Sequence, residues 1–390
     1  MVEESKKTNP KIIPKARPYM GLEEIEQVVQ VLMSGWISNG PKTRELEGAI
    51  ADYLGLLKDQ VIVVTNCTSA LHVSLLSLGI THGDEVLVAD FTFPATGHAV
   101  MYCGAVPRFI DIDSATFNLD PSKLEEKIGE RTKAIIPVHA FGQPAEMDEI
   151  VRIAQENGLS VIEDAACSFG AQYKGQMAGT IGDFGCYSFH ALKGITCGEG
   201  GALVVKDRKV AEKARRLCNY GIEPAWDRHT GVGVPVFQSL GYNYKISDIQ
   251  SAVVLAQLKK MNTFMEKRKE LAEIWSRELS PLVSKGYLTE QASPDYTVHS
   301  HQAQVIVLEE SINRNLVVKT MRDNFGIETT LGTYSSHIQP VYHSKDVCPV
   351  ARITSEQSLS LPFYFELTED IIRYCATCLS ESIEIVKRCE

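Results

Sequence analysis

The segment FGCYSFHALKGITCGEGG, residues 184–201, decides how this sequence is interpreted. It is too rich in Gly, Ser and Cys to favour a continuous helix, and too interrupted to be one long strand. Its one lysine, Lys193, follows Ser188 and precedes four glycines. Glycine permits tight turns and lets the backbone approach a ligand closely. The segment therefore predicts two short strands joined by a loop that presents Lys193 to a small molecule.

An acidic residue upstream indicates which small molecule this is. The apolar run VIED, residues 161–164, ends in Asp164. A lysine amine forms imines with carbonyl groups. A carboxylate beside a pyridine nitrogen keeps that nitrogen protonated, because opposite charge favours the charged form. A lysine and an acid held in this way suit pyridoxal 5′-phosphate (PLP). The simpler alternatives are a solvated lysine and an acid that caps the next helix.

Short β-branched runs alternate with amphipathic stretches through most of the chain. Such alternation implies βαβ units around a mainly parallel, buried sheet. We found no internal repeat. The predicted strands are 61–65, 85–89, 108–112, 134–138, 160–163, 184–189, 202–205 and 302–308; the predicted helices are 22–33, 43–54, 68–79, 94–102, 121–128, 146–157, 208–219, 246–277, 312–325 and 367–387; the predicted loops are 221–245 and 330–345.

The same pattern predicts three parts of the chain. Residues 1–20 are polar and contain three prolines, which indicates an extended arm. Residues 21–280 form a large α/β domain that closes with a long connecting helix. Residues 281–390 alternate strand and helix again and form a small C-terminal α/β domain. The large domain carries the cofactor candidates.

Composition excludes several classes of protein. The chain has 390 residues and a net charge of −10, so a nucleic-acid partner is not indicated. No apolar run approaches the ~18–20 residues of a membrane helix, and the N-terminal residues lack the apolar core of a signal peptide. Ten scattered cysteines fit reduced thiols in the cytoplasm. Cys375 and Cys378 form an isolated C-x-x-C pair, which we interpret as core residues of a helix, and we expect no metal.

Further candidates lie where predicted strands end. Thr68 and Ser69 open a helix after a strand, and a helix start binds phosphate through free N–H groups and the helix dipole. The alternative is that they cap this helix. Phe93 lies beyond the next strand, at the edge where open α/β sheets bind ligands. It could stack on a flat ring or belong to the core. The hydroxyl of Ser188 could reach a phosphate or stabilise a turn.

Over nearly its whole length the chain resembles the DegT/DnrJ/EryC1/StrS family of PLP-dependent sugar aminotransferases. Several separated motifs occur in the family's order, and the lysine-glycine segment and GYNYKISDIQ are the most specific of them. The matching text is GWISNGP (35–41), NCTSALH (66–72), FTFPAT (91–96), VIEDAAC (161–167), SFHALKGITCGEGG (188–201) and LGYNYKISDIQSA (240–252).

The resemblance implies a fold of the aspartate aminotransferase type (fold type I) and a homodimer with a shared active site. It also implies a role for each matching residue. Lys193 resembles the lysine that binds PLP, and Asp164 resembles the partner of the pyridine nitrogen. Phe93 resembles the residue that stacks on the cofactor ring. The phosphate ligands would be Thr68, Ser69 and Ser188, with Asn243 as a phosphate contact from the neighbouring subunit.

The sequence departs from the family pattern at two places. Three residues after Asp164 the family has His or Gln, suited to bonding the ring oxygen of the cofactor, whereas this chain has Cys167, a weak donor. The segment TLGTYSSH, residues 330–337, replaces a His-Tyr-Pro type of loop. In that segment Tyr334 and His337 remain candidate substrate contacts, and His190, three residues before Lys193, is a third.

We therefore expect an aminotransferase with a nucleotide-linked keto sugar as acceptor, and the resemblance implies L-glutamate as the amino donor. PLP is the resting cofactor and pyridoxamine 5′-phosphate the aminated form, as the resemblance implies. Lys193 is expected to be released and to shuttle the proton. The preferred acceptor is a 4-keto-6-deoxy hexose, with a 3-keto sugar as the second choice. The nucleotide, the sugar and the stereochemistry do not follow from the sequence.

Three other functions are open to such a chain. A sugar dehydratase of the same fold replaces the lysine by histidine; Lys193 is present here, but His190 is close in sequence. A regulator would bind PLP without turnover. A Rossmann dehydrogenase is the alternative at the level of the fold, but the sequence has neither G-x-G-x-x-G after a strand nor a G-x-x-x-x-G-K-[ST] phosphate loop.

Overall fold

Helices and strands alternate along a computed structural model that describes residues 12–222 and 234–389. The helices are α1 Leu22–Ser34, α2 Pro41–Leu54, α3 Cys67–Leu78, α4 Ala95–Tyr102, α5 Met147–Glu156, α6 Arg208–Cys218, α7 Asp248–Leu258, α8 Met261–Ser284, α9 Arg314–Phe325, α10 Pro349–Gln357 and α11 Glu369–Cys389. The strands are β1 Val61–Val64, β2 Glu85–Ala89, β3 Phe91–Thr92, β4 Val106–Ile110, β5 Thr132–Ile136, β6 Ser160–Asp164, β7 Gln172–Tyr173, β8 Gln176–Met177, β9 Phe184–Ser188, β10 Gly201–Val205, β11 Leu288–Glu290, β12 Thr297–Val298, β13 Gln304–Leu308, β14 Tyr334–Ser335 and β15 Ser358–Leu361.

A seven-stranded sheet in the order β1-β10-β9-β6-β5-β2-β4 forms the centre of the fold. The neighbours from β9 to β4 all run parallel, and β10 alone runs antiparallel to both β1 and β9. Every residue of β1, β2, β9 and β10 is buried. Such burial on both faces explains why these strands read as continuous apolar runs. The prediction of a mainly parallel, buried sheet is confirmed.

Two predicted helices are wrong in detail. The predicted helix 121–128 is two 3₁₀ turns, Pro121–Lys123 and Glu125–Lys127. Leu124 is the one fully buried side chain there, so the segment lacks the apolar stripe that holds a longer helix against a core. The predicted helix 246–277 is divided into α7 and α8. The chain turns between them, and Lys260 at that turn pairs with the buried Glu24 of α1 (Nζ–Oε1 2.5 Å).

The region after residue 330 holds more structure than the sequence predicted. The loop 330–345 contains β14 and a 3₁₀ turn, Pro340–Tyr342, and it is followed by the unpredicted α10 and β15. β15 has the sequence SLSL, and its buried serines lower the apolar content that would mark a strand. Its pairing with β13 supplies the stability that local sequence does not show.

A second sheet, β11-β13-β15, lies towards the C-terminus. Helices α8, α9 and α11 contribute to the core beside it, which contains Trp275 and both cysteines of the C-x-x-C pair, Cys375 and Cys378. The predicted arm meets this part of the chain, since Ile13 forms a parallel bridge with Ile327. The boundaries at residues 20 and 280 stay a prediction. Within the described ranges, no helix has the length and apolarity needed to cross a membrane.

Gly201 permits close contact between the sheet and the start of α3. A Cβ atom at Gly201 would lie 2.5 Å from the carbonyl carbon of Asn66 and 2.7 Å from the amide nitrogen of Cys67. These are backbone atoms, which cannot turn away as a side chain can. We expect Gly201→Ala to lower the free energy of unfolding by about 1–3 kcal/mol, as overpacked cores do.

Urea denaturation of the two variants Gly201→Ala and Gly129→Ala measures this effect. Gly129 is the matched control, because a Cβ there meets nothing within 4 Å and its φ is not positive. Gly129→Ala should be neutral or stabilising by about 0.4–1 kcal/mol. Equal free energies of unfolding for the two variants would contradict the role given to Gly201.

Candidate active site

The candidate residues lie at one edge of the central sheet. Asp164 ends β6 and Ser188 ends β9, and these two strands are parallel neighbours. β1 also ends at this edge, because Val64 pairs with Gly201, which pairs with Ser188. The edge therefore collects the ends of strands that are far apart in sequence, as the carboxyl edge of an open α/β sheet does.

The start of α3 follows β1 at this edge. Its N-cap is Asn66, whose Oδ1 accepts hydrogen bonds from Ser69 N (2.8 Å) and Ser69 Oγ (3.0 Å). The alternative that Thr68 or Ser69 caps the helix is therefore wrong. Both residues lie in the first turn, and the Ser69 hydroxyl also contacts Thr65 Oγ1 at 3.0 Å. This turn presents hydroxyls and the positive end of a helix dipole, which suit a phosphate.

Asp164 is buried and has no basic side chain in hydrogen-bond contact in the described ranges. Its Oδ2 accepts a bond from Thr96 Oγ1 (2.8 Å), and its Oδ1 accepts one from Ala166 N (3.2 Å). Burial raises the pKa of Asp164 more than these bonds and the nearby Lys193 lower it. A carboxylate held in this state is ready to be stabilised by a cation such as a protonated pyridine.

Lys193 reaches towards Cys167, which lies three residues beyond the end of β6. Its Nζ lies 3.1 Å from Cys167 Sγ. Burial disfavours the lysine charge, but the charge and hydrogen bond of Cys167 and the carboxylate of Asp164 outweigh burial and raise the pKa of Lys193. The structure thus brings together Lys193, Asp164 and Cys167. In this arrangement the thiol contacts the lysine amine.

Phe93 and two residues of the later loop form the outer part of the site. Phe93 is 65% exposed, so the alternative of a plain core phenylalanine is wrong. Its ring lies 6.2 Å from the ring of Tyr334, and Tyr334 pairs with Thr92 in a two-stranded sheet. His337 follows on the same loop. The sequence placed Tyr334 and His337 near a substrate, and the structure places Tyr334 beside Phe93.

Two candidates lie apart from this group. The exposed Asn243 accepts a bond from Lys245 Nζ (2.7 Å), and no contact joins its side chain to the phosphate candidates within the described part of this chain. His190 is half-exposed, and its Nε2 lies 3.7 Å from Glu199 Oε1. The backbone carbonyl of His190 accepts a bond from Lys193 N, so its visible role is in the turn that carries the lysine.

The structure also adds residues that the sequence did not single out. Thr96 belongs to the quoted motif FTFPAT, so that motif was the available signal. Lys15 on the arm is partly buried, and burial followed by the charge of Lys193 lowers the pKa of Lys15. Arg268 on α8 donates to the carbonyl of Gly194, and burial lowers the pKa of its guanidinium to about 10. Neither Lys15 nor Arg268 stands in a motif.

Solved structures share this fold over nearly the whole chain. The aminotransferase TlmJ from Streptoalloteichus hindustanus has a TM-score of 0.90 at 29% identity, covering 96% of this chain and 100% of that one. Spr1654 from Streptococcus pneumoniae in its PLP form has a TM-score of 0.88 at 25% identity, covering 96% of this chain and 100% of that one. The fold is that of the PLP-dependent aminotransferases of fold type I, as the resemblance implied.

Sequence comparison gives the family. The model of the DegT/DnrJ/EryC1/StrS aminotransferase family matches residues 18–380. The spore coat polysaccharide biosynthesis protein SpsC of Bacillus subtilis is 35% identical over 368 residues, which is 92% of this chain and 94% of SpsC. The chain belongs to the DegT/DnrJ/EryC1/StrS family of PLP-dependent sugar aminotransferases.

The residues at the sheet edge fit PLP on three independent grounds. A buried carboxylate with a raised pKa, Asp164, has no hydrogen-bonded cationic side chain among the described residues. A half-buried lysine, Lys193, lies within electrostatic reach of that carboxylate. The first turn of α3 offers an anion site with the hydroxyls of Thr68 and Ser69. These are the three chemical requirements of a cofactor with a pyridine nitrogen, a carbonyl and a phosphate.

Proposed function

We propose that this aminotransferase transfers the amino group of L-glutamate to a nucleotide-linked keto sugar. The observation that carries this proposal is the half-buried Lys193 within electrostatic reach of Asp164 in a chain of this family. The preferred acceptor is a 4-keto-6-deoxy hexose, and a 3-keto sugar is the second choice. The similarity to SpsC, a polysaccharide biosynthesis protein, supports a sugar as acceptor.

The proposed roles follow from position and chemistry. Lys193 would bind the cofactor carbonyl, and Asp164 would hold its pyridine nitrogen protonated. Phe93 would stack on the ring. Cys167 contacts the lysine amine. The hydroxyl groups of Thr68, Ser69 and Ser188 would bind the phosphate, with Asn243 of the neighbouring subunit as a further contact.

Bound PLP would supply an electron sink that stabilises a carbanion next to nitrogen. The protein supplies the proton carrier. Once released, Lys193 Nζ accepts the proton that leaves the α-carbon of glutamate and later donates a proton to the carbon that carries the new amine. Both half-reactions use the same site, because one lysine serves both. Tyr334, His337 and His190 are proposed contacts of the acceptor.

The visible absorption spectrum of the PLP-loaded protein tests this function. We expect a band of lysine-bound PLP that bleaches when L-glutamate is added and returns when a keto sugar nucleotide follows. A band that glutamate leaves unchanged would refute the donor. A deoxy sugar product in place of an amino sugar would indicate the dehydratase, and a band without turnover for any donor would indicate the regulator.

We also propose a cytoplasmic homodimer with a shared site. Reduced thiols support the compartment, since all nine cysteines with described side chains are free. Large apolar side chains on α1 and on the segment after residue 233 support the dimer, because exposed patches of this kind mark interaction surfaces. The exposed residues are Leu22, Ile25, Val29, Leu32, Met33, Val234, Val236, Phe237 and Leu240.

We expect the double variant Ile25→Glu, Val29→Glu to be a monomer and to lose most activity. Like charges placed across an interface cost several kcal/mol, so the dissociation constant of the dimer should rise by about 10³-fold or more. Light scattering measures the mass, and activity is measured on the same sample. Glu26→Gln on the same helix is the matched control and should remain a dimer. A fully active monomer would contradict the shared site.

A further inference from the structure

A buried carboxylate, Asp90, holds the loop that carries His337. Asp90 follows β2 and is fully buried. Its Oδ1 accepts the backbone N–H of His337 (2.6 Å), and its Oδ2 lies 2.8 Å from His337 Nδ1. The hydroxyl of Ser335 donates to the same Oδ2 (2.5 Å). In the described ranges, His337 is the one basic side chain that pairs with Asp90.

This contact fixes which nitrogen of the ring carries a proton. A carboxylate is an acceptor only, so His337 Nδ1 carries the hydrogen that points to Asp90. In the neutral ring, Nε2 would then be a bare acceptor. In the charged ring, Nε2 becomes a donor. No residue in the described ranges hydrogen-bonds to Nε2, and the His337 side chain keeps 11% exposure.

The groups around the ring favour its charged form. The hydrogen bond that the ring donates to Asp90 raises the pKa of His337 most, burial lowers it, and the charges of Asp90, Asp111 and Asp346 raise it further. The Sγ atom of Cys348 lies within 4.8 Å of a carboxylate oxygen of Asp90 and a ring nitrogen of His337. Burial raises the pKa of the Cys348 thiol, so the thiol stays neutral. Two cations, Arg108 and Lys127, pair with Asp346 and weaken the effect of its charge on the pKa of His337.

The pair lies next to the proposed cofactor contacts. Asp90 immediately precedes β3, whose Thr92 pairs with Tyr334. Phe93 follows β3, and Thr96, three residues further on, bonds Asp164. The short segment from Asp90 to Thr96 therefore contacts both His337 and Asp164.

We propose that Asp90 is a positioning residue that keeps His337 protonated, so that the ring presents an Nε2–H donor to an oxygen of the keto sugar acceptor. This inference rests on the proposed function. It assigns the acceptor half-reaction a dependence on pH that the donor half-reaction lacks. The donor strength of the ring is present below the pKa of His337 and is lost as the pH rises through it.

The charge of His337 can be measured in the holoenzyme by NMR with ¹³Cε1-labelled histidine, assigned with His337→Gln. We expect the wild-type midpoint to lie above the ordinary ~6.5 and the midpoint of Asp90→Asn to be lower by about one pH unit or more. Ser335→Ala keeps the carboxylate and should shift the midpoint much less. A wild-type midpoint at or below the ordinary value overturns the inference even if Asp90→Asn does not fold.

Kinetics then separate a positioning role from a structural one. As the pH rises through the midpoint that NMR gives for His337, the wild-type KM for the keto sugar should rise while kcat and the bleaching by glutamate stay constant. At pH 7 Asp90→Asn should raise that KM about tenfold, the range for one charged hydrogen bond. Impaired bleaching by glutamate would overturn the inference. If wild-type enzyme turns over no keto sugar nucleotide, the proposed function fails, while the NMR titration still decides the pairing.

Discussion

Replacement of Lys193 by alanine is expected to lower transamination about 10³-fold or more, because one side chain serves two purposes. It is the proposed attachment point of PLP and the proposed carrier of the proton. Lys193 Nζ lies 3.1 Å from Cys167 Sγ and within the field of Asp164, and no other described lysine has a hydrogen bond to Cys167. The visible band of lysine-bound PLP should be lost with the activity.

Borohydride reduction followed by peptide mass spectrometry gives a readout that does not depend on activity. In the wild-type protein the label should be on Lys193, and in Lys193→Ala it should be absent. Lys174→Ala is the matched control, because this exposed lysine pairs with Asp148 on the surface. Its label and activity should equal those of the wild type. A label on Lys15, the other lysine near the site, would contradict the assignment of Lys193.

Asp164→Asn is expected to lower kcat/KM by about 10²–10⁴-fold, the range for a group that sets the protonation of a reacting system. Asparagine keeps the shape of the side chain and an acceptor for Thr96 Oγ1, but it cannot hold a pyridine nitrogen in its charged form. PLP should also bind more weakly, because the ionic contact to the ring is lost. Affinity for PLP is measured by fluorescence titration.

The stability of the apoprotein distinguishes this loss from unfolding. Burial raises the pKa of Asp164, so the fold favours the neutral acid and the ionised form destabilises it at neutral pH. Asp164→Asn removes that cost, and the Tm of the apoprotein should stay equal or rise. Thr96→Val removes the hydroxyl that contacts Asp164, Thr92 and the carbonyl of Phe93 but keeps the charge of Asp164, so its activity should fall about tenfold. Equal losses for the two variants would contradict the role of the charge.

The central sheet could be predicted because its strands are buried on both faces. Runs such as Val61–Val64 are apolar without interruption, and the intervening amphipathic stretches can only be crossover helices. From strand ends alone, Asp164 and Ser188 could be placed at one edge. The antiparallel direction of β10 was not predicted, because it depends on the short connection after Lys193. The SLSL strand β15 was missed, because its partner supplies its stability.

The site was predicted only where a residue's chemistry is visible in the sequence. Lys193, Asp164 and Phe93 stand in motifs, and the structure places them at the predicted edge or beside it. Asn66, the cap of α3, was missed because an N-cap depends on backbone geometry that begins one residue before the helix. Asp90 was missed because its partners are 245 and 247 residues away in sequence. Such contacts follow from the fold and from no local pattern.

These sequence distances have a consequence for the order in which the site assembles during synthesis and folding. The loop with Lys193 is closed by β9 and β10, which are neighbours in sequence, so its entropy of closure is small. The loop with Tyr334 and His337 is held by its two-residue pairing with β3, by the Asp90 carboxylate far upstream and by bonds of the Ser355 hydroxyl on α10 to the backbone of Thr333 and Ser335. We therefore expect the acceptor side to form last and to open first under mild denaturant, when the donor side can still react.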